Sequence, residues 1–304
     1  MNNKNITGFR ENRKPDIAVK EPASVEGQLQ KLKERGCIVE NEQQAVQTLT
    51  NINYYRLAYY FSVFLEAKSC YREGTTFCRV VRIYDFDRRL RNLLLEVLEE
   101  IEIAMRAYVS NLHAAKYGAS GYMNIGSFDF RHNHKAFLQK IERLVEANYD
   151  SGMVMHHVKK YGGNFPLWAI MELFSFGMLC VFFEDMKPED REEIAKDRFG
   201  VSTGMLISWL NNLSDLRNHC AHYHRLYGSR LGRVPSKPAF LGENFRMNDM
   251  VFDYITVIKA AYCRKNDWSR AFVEPLKKLL SEYGEDVDLK DLGFPPNWEE
   301  LLTS

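Results

Sequence analysis

From Ser24 onward apolar residues recur every three or four positions, the period of an amphipathic helix and not the alternation of a strand. Leu29 and Leu32 share one face, Arg35 falls in the last turn, and Gly36 supplies the left-handed stop that ends a helix. A second helix is predicted from Glu42, its stripe formed by Ala45, Leu49, Ile52, Tyr55, Tyr59 and Val63. The longest regular stretch runs from about Asp85 to Lys116, with Leu90, Leu94, Val97, Ile101, Met105, Tyr108 and Leu112 on one side. Further helices fit His134 to Asn148, Leu167 to Glu184, Asp190 to Arg198, Leu206 to Ala221, Asn248 to Cys263 and Ser269 to Glu282, and no segment reads as a strand. The expected fold is all-α, a helical bundle followed by a C-terminal helical lobe.

Breaks in the pattern give the organisation. Residues 1–20 are polar and basic with no apolar period and read as an N-terminal arm, in which Arg13 and Lys14 are suited to touching an anion. Residues 21–240 form the main helical domain and 241–304 an acidic helical lobe; Gly228, Gly232, Pro235, Pro238 and Gly242 mark the linker between them. No fixed period repeats, which argues against a solenoid.

The formal charge of +1 hides an asymmetry. Seven acids against Lys290 give −6 for residues 282–304 and leave +7 for the rest, so a basic surface stands before an acidic tail. The six cysteines form no C-x-x-C pair, which disfavours a disulfide framework or zinc ribbon and fits a reducing cytoplasm. The start of the chain lacks the apolar core of a signal peptide, and the run from Leu167 to Phe183 is interrupted by Glu172 and Ser175 and falls short of a spanning length. A cytoplasmic protein without a membrane segment is expected.

Chemistry concentrates in LNNLSDLRNHCAHYHRLY, Leu210 to Tyr227. At about 100° per residue, Leu206, Trp209, Leu210, Leu213, Leu216 and Cys220 fall on one face, while Asp215, Asn218, His219 and His222 crowd the other. Arg217 sits at the edge of the apolar stripe. A guanidinium grips a phosphate as a planar fork and an imidazole moves protons near neutral pH, a pairing sufficient for RNA scission because the 2′-hydroxyl is an internal nucleophile. Arg217 and His222 lie five residues apart, roughly 140° around a straight helix. They are therefore expected to act in a composite site, such as the cleft of a two-fold homodimer.

The stretch Arg217-Asn218-His219-Cys220-Ala221-His222 resembles the R-x4-H motif of HEPN ribonucleases. The segments KPDIAVKEPASVEGQLQKLKERG, INYYRLAYY, YDFDRRLRNLLLEVLEEIEIAMRAY, KYG, PLWAIMELFSFGMLC and SWLNNLSDLRNHCAHYHRLY resemble, in that order, the Abi abortive-infection proteins of the AbiD/AbiF type. The similarity covers roughly residues 14 to 230. It implies a HEPN-like helical bundle, a role in bacterial phage defence, and a ribonuclease centre on Arg217 and His222 with Asn218 as helper. It also implies a neighbouring small non-coding RNA as partner. Ala58 and Tyr60 depart from the smaller residues of the family, and His219 adds a second imidazole beside the motif.

On this reading the protein is a metal-independent endoribonuclease that needs no cofactor; the alternative is an RNA-binding defence scaffold that does not cut, or an RNA-inhibited toxin component. His219 is an accessory candidate, and Glu172 is expected to pair with Arg217 and orient it, because a carboxylate buried without a partner is costly. Arg88, Arg89 and Arg91 on the long helix, and Arg225, Arg230, Arg233 and Lys237 after the motif, are candidates for tracking an RNA backbone. The bland reading of the first three is a solvated helix face paired with nearby acids. His219, His222 and His224 also admit a metal site, though no recognised ligand pattern surrounds them. Tyr54, Tyr55, Tyr59 and Tyr60 are read as core more readily than as a base-stacking face. His132, His134, His156 and His157 are expected in loops or at the surface.

Overall fold

The computed structural model describes residues 21–66 and 69–303. Arg13 and Lys14 therefore lie outside the described residues. The fold is all-α. Among the described residues there are thirteen α-helices and no sheet, the only strand-like pairings being isolated bridges such as Phe128 with Met186. The chain divides into two compact units, residues 1–78 and 79–304.

In the first unit, helix α1 (Val25–Glu34) starts on a Ser24 side chain that accepts from the Gly27 amide, and it buries Leu29 and Leu32 against α2 (Glu42–Asn51). The single helix expected from Glu42 is in fact two. Asn51 ends α2, Ile52 adopts an extended backbone, and the Asn53 side chain caps α3 (Tyr54–Phe61) by accepting from the Tyr55 amide. A polar residue that competes for the backbone at the right place restarts the helix and rotates its apolar face. Tyr60 is buried at 1% exposure whereas Tyr55 and Tyr59 stand in water at 72% and 53%, so the tyrosine run divides between core and surface.

The second unit begins two residues into the long helix α4 (Phe77–Tyr117), which carries the stripe of the sequence, with Leu90, Leu94, Val97, Ile101 and Met105 all inaccessible to solvent or nearly so. After it come α5 (His134–Ala147), α6 (Gly152–Tyr161) and the short α7 (Leu167–Ile170). The apolar run from Leu167 to Phe183 is not one helix. A 3-10 turn at Met171–Leu173 follows α7, and Ser175 then caps α8 (Phe176–Asp185) by accepting from the Met178 amide. Glu172 thereby lands in an exposed turn and not inside an apolar helix, which removes the need for a buried partner.

Helix α9 (Pro188–Phe199) leads to α10 (Thr203–Ala221), the helix around which this unit is assembled. It packs against α8, α9 and α11 (Val251–Ala261) at once. Ser202 caps its start, and Leu206, Trp209, Leu210, Leu213, Leu216 and Cys220 are buried, the stripe read from the sequence. Small residues let α8 approach closely: a Cβ on Gly177 would meet the Ser214 hydroxyl at 3.5 Å, and the Cys180 thiol reaches the Leu210 carbonyl at 3.5 Å. The segment after residue 240 continues into the same unit through α11, α12 (Glu274–Tyr283) and α13 (Trp298–Thr303).

Two buried polar groups of α4 stand out. Asp87, with no exposure, pairs with Arg91 one turn on and accepts from the backbone amides of Leu226 at 3.1 Å and Tyr227 at 2.8 Å. Arg91, 2% exposed, also donates to the His224 carbonyl at 3.2 Å. His113 is enclosed by the rings of Tyr117, Phe128 and Phe182, and neither ring nitrogen has a hydrogen-bond partner. Burial lowers its pKa to about 4. His132, expected in a loop or at the surface, lies in a loop but is buried against Phe128 at a 4.0 Å ring separation, and its Nδ1 lies 2.8 Å from an Asp185 carboxylate oxygen.

Replacing Asp87 with Ala leaves Arg91 as an uncompensated buried charge and two backbone amides unsatisfied, so urea denaturation should show a loss of about 3–5 kcal/mol. His113 charges in the unfolded chain near pH 6.5 and in the folded one only near pH 4. Its contribution to stability is therefore complete above pH 6.5 and falls as pH drops through that window. The stability of His113→Phe relative to the parent should rise steadily between pH 6.5 and 4 in paired denaturation curves. A pH-independent difference would remove His113 from the account.

Candidate functional site

The polar end of α10 is built by the way the helix stops. The His224 amide donates to the His219 carbonyl at 2.9 Å and the Tyr223 amide to the Cys220 carbonyl at 3.2 Å, a Schellman closure. The residue in the left-handed position is Tyr223, at φ 60°, where glycine is usual. A left-handed backbone costs a side-chain-bearing residue on the order of 1–2 kcal/mol, and it persists only where the surroundings over-determine it. Here the buried Asp87 and Arg91 fix the next four residues through the His224 carbonyl and the amides of Leu226 and Tyr227. The 65% exposed Tyr223 ring stands at the helix end, a position that sequence patterning gives no means of finding.

This reversal gathers three imidazoles. The His224 ring lies 5.1 Å from that of His219, edge to face, and 6.3 Å from that of His222. His219 Nδ1 sits 2.9 Å from the Asp215 carbonyl. A carbonyl can only accept, so Nδ1 carries the proton and Nε2 of the neutral ring is left as the basic nitrogen. His222, at the C-terminal boundary of the helix, is exposed. Among the described residues no group of three His, Cys, Asp or Glu side chains is arranged to hold a metal ion.

Arg217 faces a different partner from the one expected. Its Nε lies 3.6 Å from Oε2 of Glu102 on α4, and the other Glu102 oxygen accepts from Arg106. Arg106 in turn donates to the carbonyls of Met171 and, at 2.6 Å, Phe174, the turn between α7 and α8. Glu102 supplants Glu172 because α4 presents its buried carboxylate to α10 while the broken apolar run carries Glu172 into solvent. Arg217 Nη1 reaches Asn218 Oδ1 at 3.4 Å, and its side chain remains 36% exposed. The guanidinium is thus held on one edge and open on another. Among the described residues no hydrogen bond or ion pair joins Arg217 to His222; Arg217 and Asn218 form one group and the three histidines another.

The remaining basic candidates are spread over different tasks. Arg91 is buried in its pair with Asp87. Arg89 pairs with Glu282, and with Arg82 it lies over the Tyr283 ring of α12. Arg88 is exposed, 3.5 Å from Asp85. Arg225 donates to the Ser229 hydroxyl at 3.1 Å, and Arg230 to the Asn248 carbonyl and Asp249. Lys237 reaches the carbonyls of Gly242, Glu243 and Phe245. Arg233 is exposed and lies 3.5 Å from Asp215, which brings it to the polar face of α10. No helix of the described residues is long and apolar enough to cross a membrane.

The sequence profile of the Abi-like protein family matches residues 47–228, more than half of the chain, a span that includes Glu102, Arg217, Asn218 and the three histidines at the end of α10. The protein belongs to that family, and membership suggests abortive-infection phage defence. No curated protein and no solved structure gives a significant match.

Replacing Tyr223 with Gly exchanges a left-handed penalty of about 1–2 kcal/mol for a glycine entropy cost of about 0.5–1 kcal/mol, so the variant should unfold at the same or slightly higher urea concentration. Tyr223→Val, whose branched side chain tolerates that backbone worst, should unfold earlier than the parent.

Proposed function

We propose that this protein is a phage-defence endoribonuclease that cuts RNA without a metal, with Arg217 binding the scissile phosphate, His222 transferring protons and Asn218 orienting the arginine. The observation that carries the reading is the half-exposed Arg217 guanidinium, braced by Glu102 and Asn218 at the polar end of a helix that also gathers three imidazoles. In the proposed step the RNA 2′-hydroxyl loses its proton to an imidazole as its oxygen attacks phosphorus. Arg217 offsets the charge that develops on the phosphoryl oxygens. The bond from phosphorus to the 5′-oxygen breaks, a second protonated group gives that oxygen its proton, and the products end in 2′,3′-cyclic phosphate and 5′-hydroxyl. His219, with its tautomer set by the Asp215 carbonyl, is the accessory proton carrier.

Because Arg217 and His222 group separately in one copy, the active form is read as a homodimer in which the arginine of one copy serves the histidine of the other. RNA is the expected partner, as substrate and as a small non-coding RNA held by the protein. Arg88 and Arg233, both exposed, are read as contacts to its backbone, and Arg225, Arg230 and Lys237 as braces of the segment that leads to α11. Arg91 is assigned a structural part.

Purified protein incubated with total RNA in EDTA should release fragments with cyclic phosphate ends, and Arg217→Ala or His222→Ala should lower the rate by about 10²–10⁴-fold without altering the unfolding curve. Cleavage that requires added Mg²⁺ would exclude this mechanism. RNA retained equally by all three proteins, with none of it cut, would favour the reading as a non-cleaving scaffold.

A further inference from the structure

Away from α10, the end of α6 and the loop that follows it form an open pocket of about 400 Å³ whose walls are aromatic. The His157 ring is stacked on Phe165 at 5.1 Å and 24°, and His156 and Tyr161 meet edge to face at 5.7 Å. Gly162 and Gly163 both take left-handed backbone, which turns the chain sharply enough to bring Phe165 back under α6. Trp168 of α7 completes the rim. It is 52% exposed, whereas Trp209, Trp268 and Trp298 are 2%, 6% and 8% exposed. Tyr161 beside it is 47% exposed. No carboxylate lines this pocket, its polar side-chain groups being those of Ser120, Asn164 and the two imidazoles together with the Tyr161 hydroxyl and the Trp168 indole N–H. Lys159 and Lys160 occupy the last turn of α6, Lys160 with its ammonium 5.3 Å from the Tyr161 ring centre.

We infer that this pocket binds a nucleobase, stacked on Trp168 and Tyr161, with the attached phosphate held by Lys159 and Lys160. Flat exposed rings beside cations, in a cleft free of acids and lined by a few hydrogen-bonding groups, suit an anionic ligand that carries a π-face. The pocket also shares a framework with Arg217. Trp168 lies on α7, which runs into the turn whose Met171 carbonyl Arg106 holds, and Arg106 shares Glu102 with Arg217. If the protein is a ribonuclease as proposed above, the pocket is where an unpaired base of the bound strand anchors.

The test uses the full chain carrying His222→Ala, so that a strand is not cut, and three probes: a fluorescently labelled single-stranded RNA, the same strand with abasic riboses, and AMP. Anisotropy should show the base-bearing strand binding more tightly than the abasic one, and Trp168→Ala should weaken the former by roughly five- to 150-fold while leaving the latter unchanged. Trp168→Phe, which keeps a stacking face, should retain most of the affinity. Base binding should quench the intrinsic tryptophan emission, and Trp168→Phe should abolish that quench because the other three indoles are buried. A comparable quench by AMP identifies a free nucleotide as the source of the base, and a quench by the strand alone identifies RNA; both support the pocket. Equal affinity for base-bearing and abasic strands, or no effect of Trp168→Ala, overturns it. The outcome is separable from the nuclease reading, since cleavage lost in Arg217→Ala with no base preference sinks only the pocket, and a Trp168-dependent quench without any cleavage sinks only the nuclease.

Discussion

The structure around the candidate site depends on one buried ion pair. Asp87 and Arg91, a turn apart on α4, are removed from water together, and neither is affordable alone. Their remaining hydrogen-bonding capacity is spent on the backbone that follows α10: the carboxylate accepts the amides of Leu226 and Tyr227, and the guanidinium donates to the His224 carbonyl. A pair that satisfies both its own charges and a neighbouring chain reversal specifies geometry more than it adds stability. It dictates where the chain goes after the last turn of α10.

The strain at the end of that helix is intelligible on this basis. Tyr223 takes a left-handed backbone that a tyrosine avoids, and the Schellman bonds on one side and the Asp87 pair on the other leave it no alternative. The result is a sharp exit that folds His224 back over His219 and beside His222. On the opposite flank Glu102 performs a similar service for Arg217, with Arg106 tying the same carboxylate to the turn before α8. Both groups are therefore supported from α4, the imidazoles through backbone and the guanidinium through a carboxylate, so that one rigid helix sets the position of all the chemistry on α10.

Charge is distributed in the same economical way. The acidic tail that balances the basic body of the chain is folded against it, Glu282 and Asp286 meeting Arg89 and Arg82 around the Tyr283 ring. Arginines engaged in this manner are part of the packing. Arg88, Arg233 and the lysines of the Lys159–Lys160 turn are instead left toward solvent.

The helical class, the stripe of α4, and the division of α10 into an apolar face and a chemical one were legible in the sequence, because a 3.6-residue period is a local property and burial follows from it. The family resemblance was legible too, since it rests on residue identities. Helix breaks were legible only in hindsight: Asn53 and Ser175 sit inside continuous apolar periods, and whether such a residue caps a new helix or is carried along is decided by what packs against it. Pairing with nearby acids on the same helix was legible, as for Arg88 with Asp85, but partners on other elements were not. Glu172 was the partner expected for Arg217 and Glu102 is the one it has, Arg91 was indistinguishable from Arg88, and nothing local showed that the loop residue His132 is buried against Phe128 and Asp185. Periodicity assigns a residue to a face of its own helix, but an ion pair or a hydrogen bond can join groups more than a hundred positions apart, as Glu102 is from Arg217 and the Asp87 carboxylate from the Leu226 amide. Which charge is buried and which is left to solvent is therefore settled only when the helices pack.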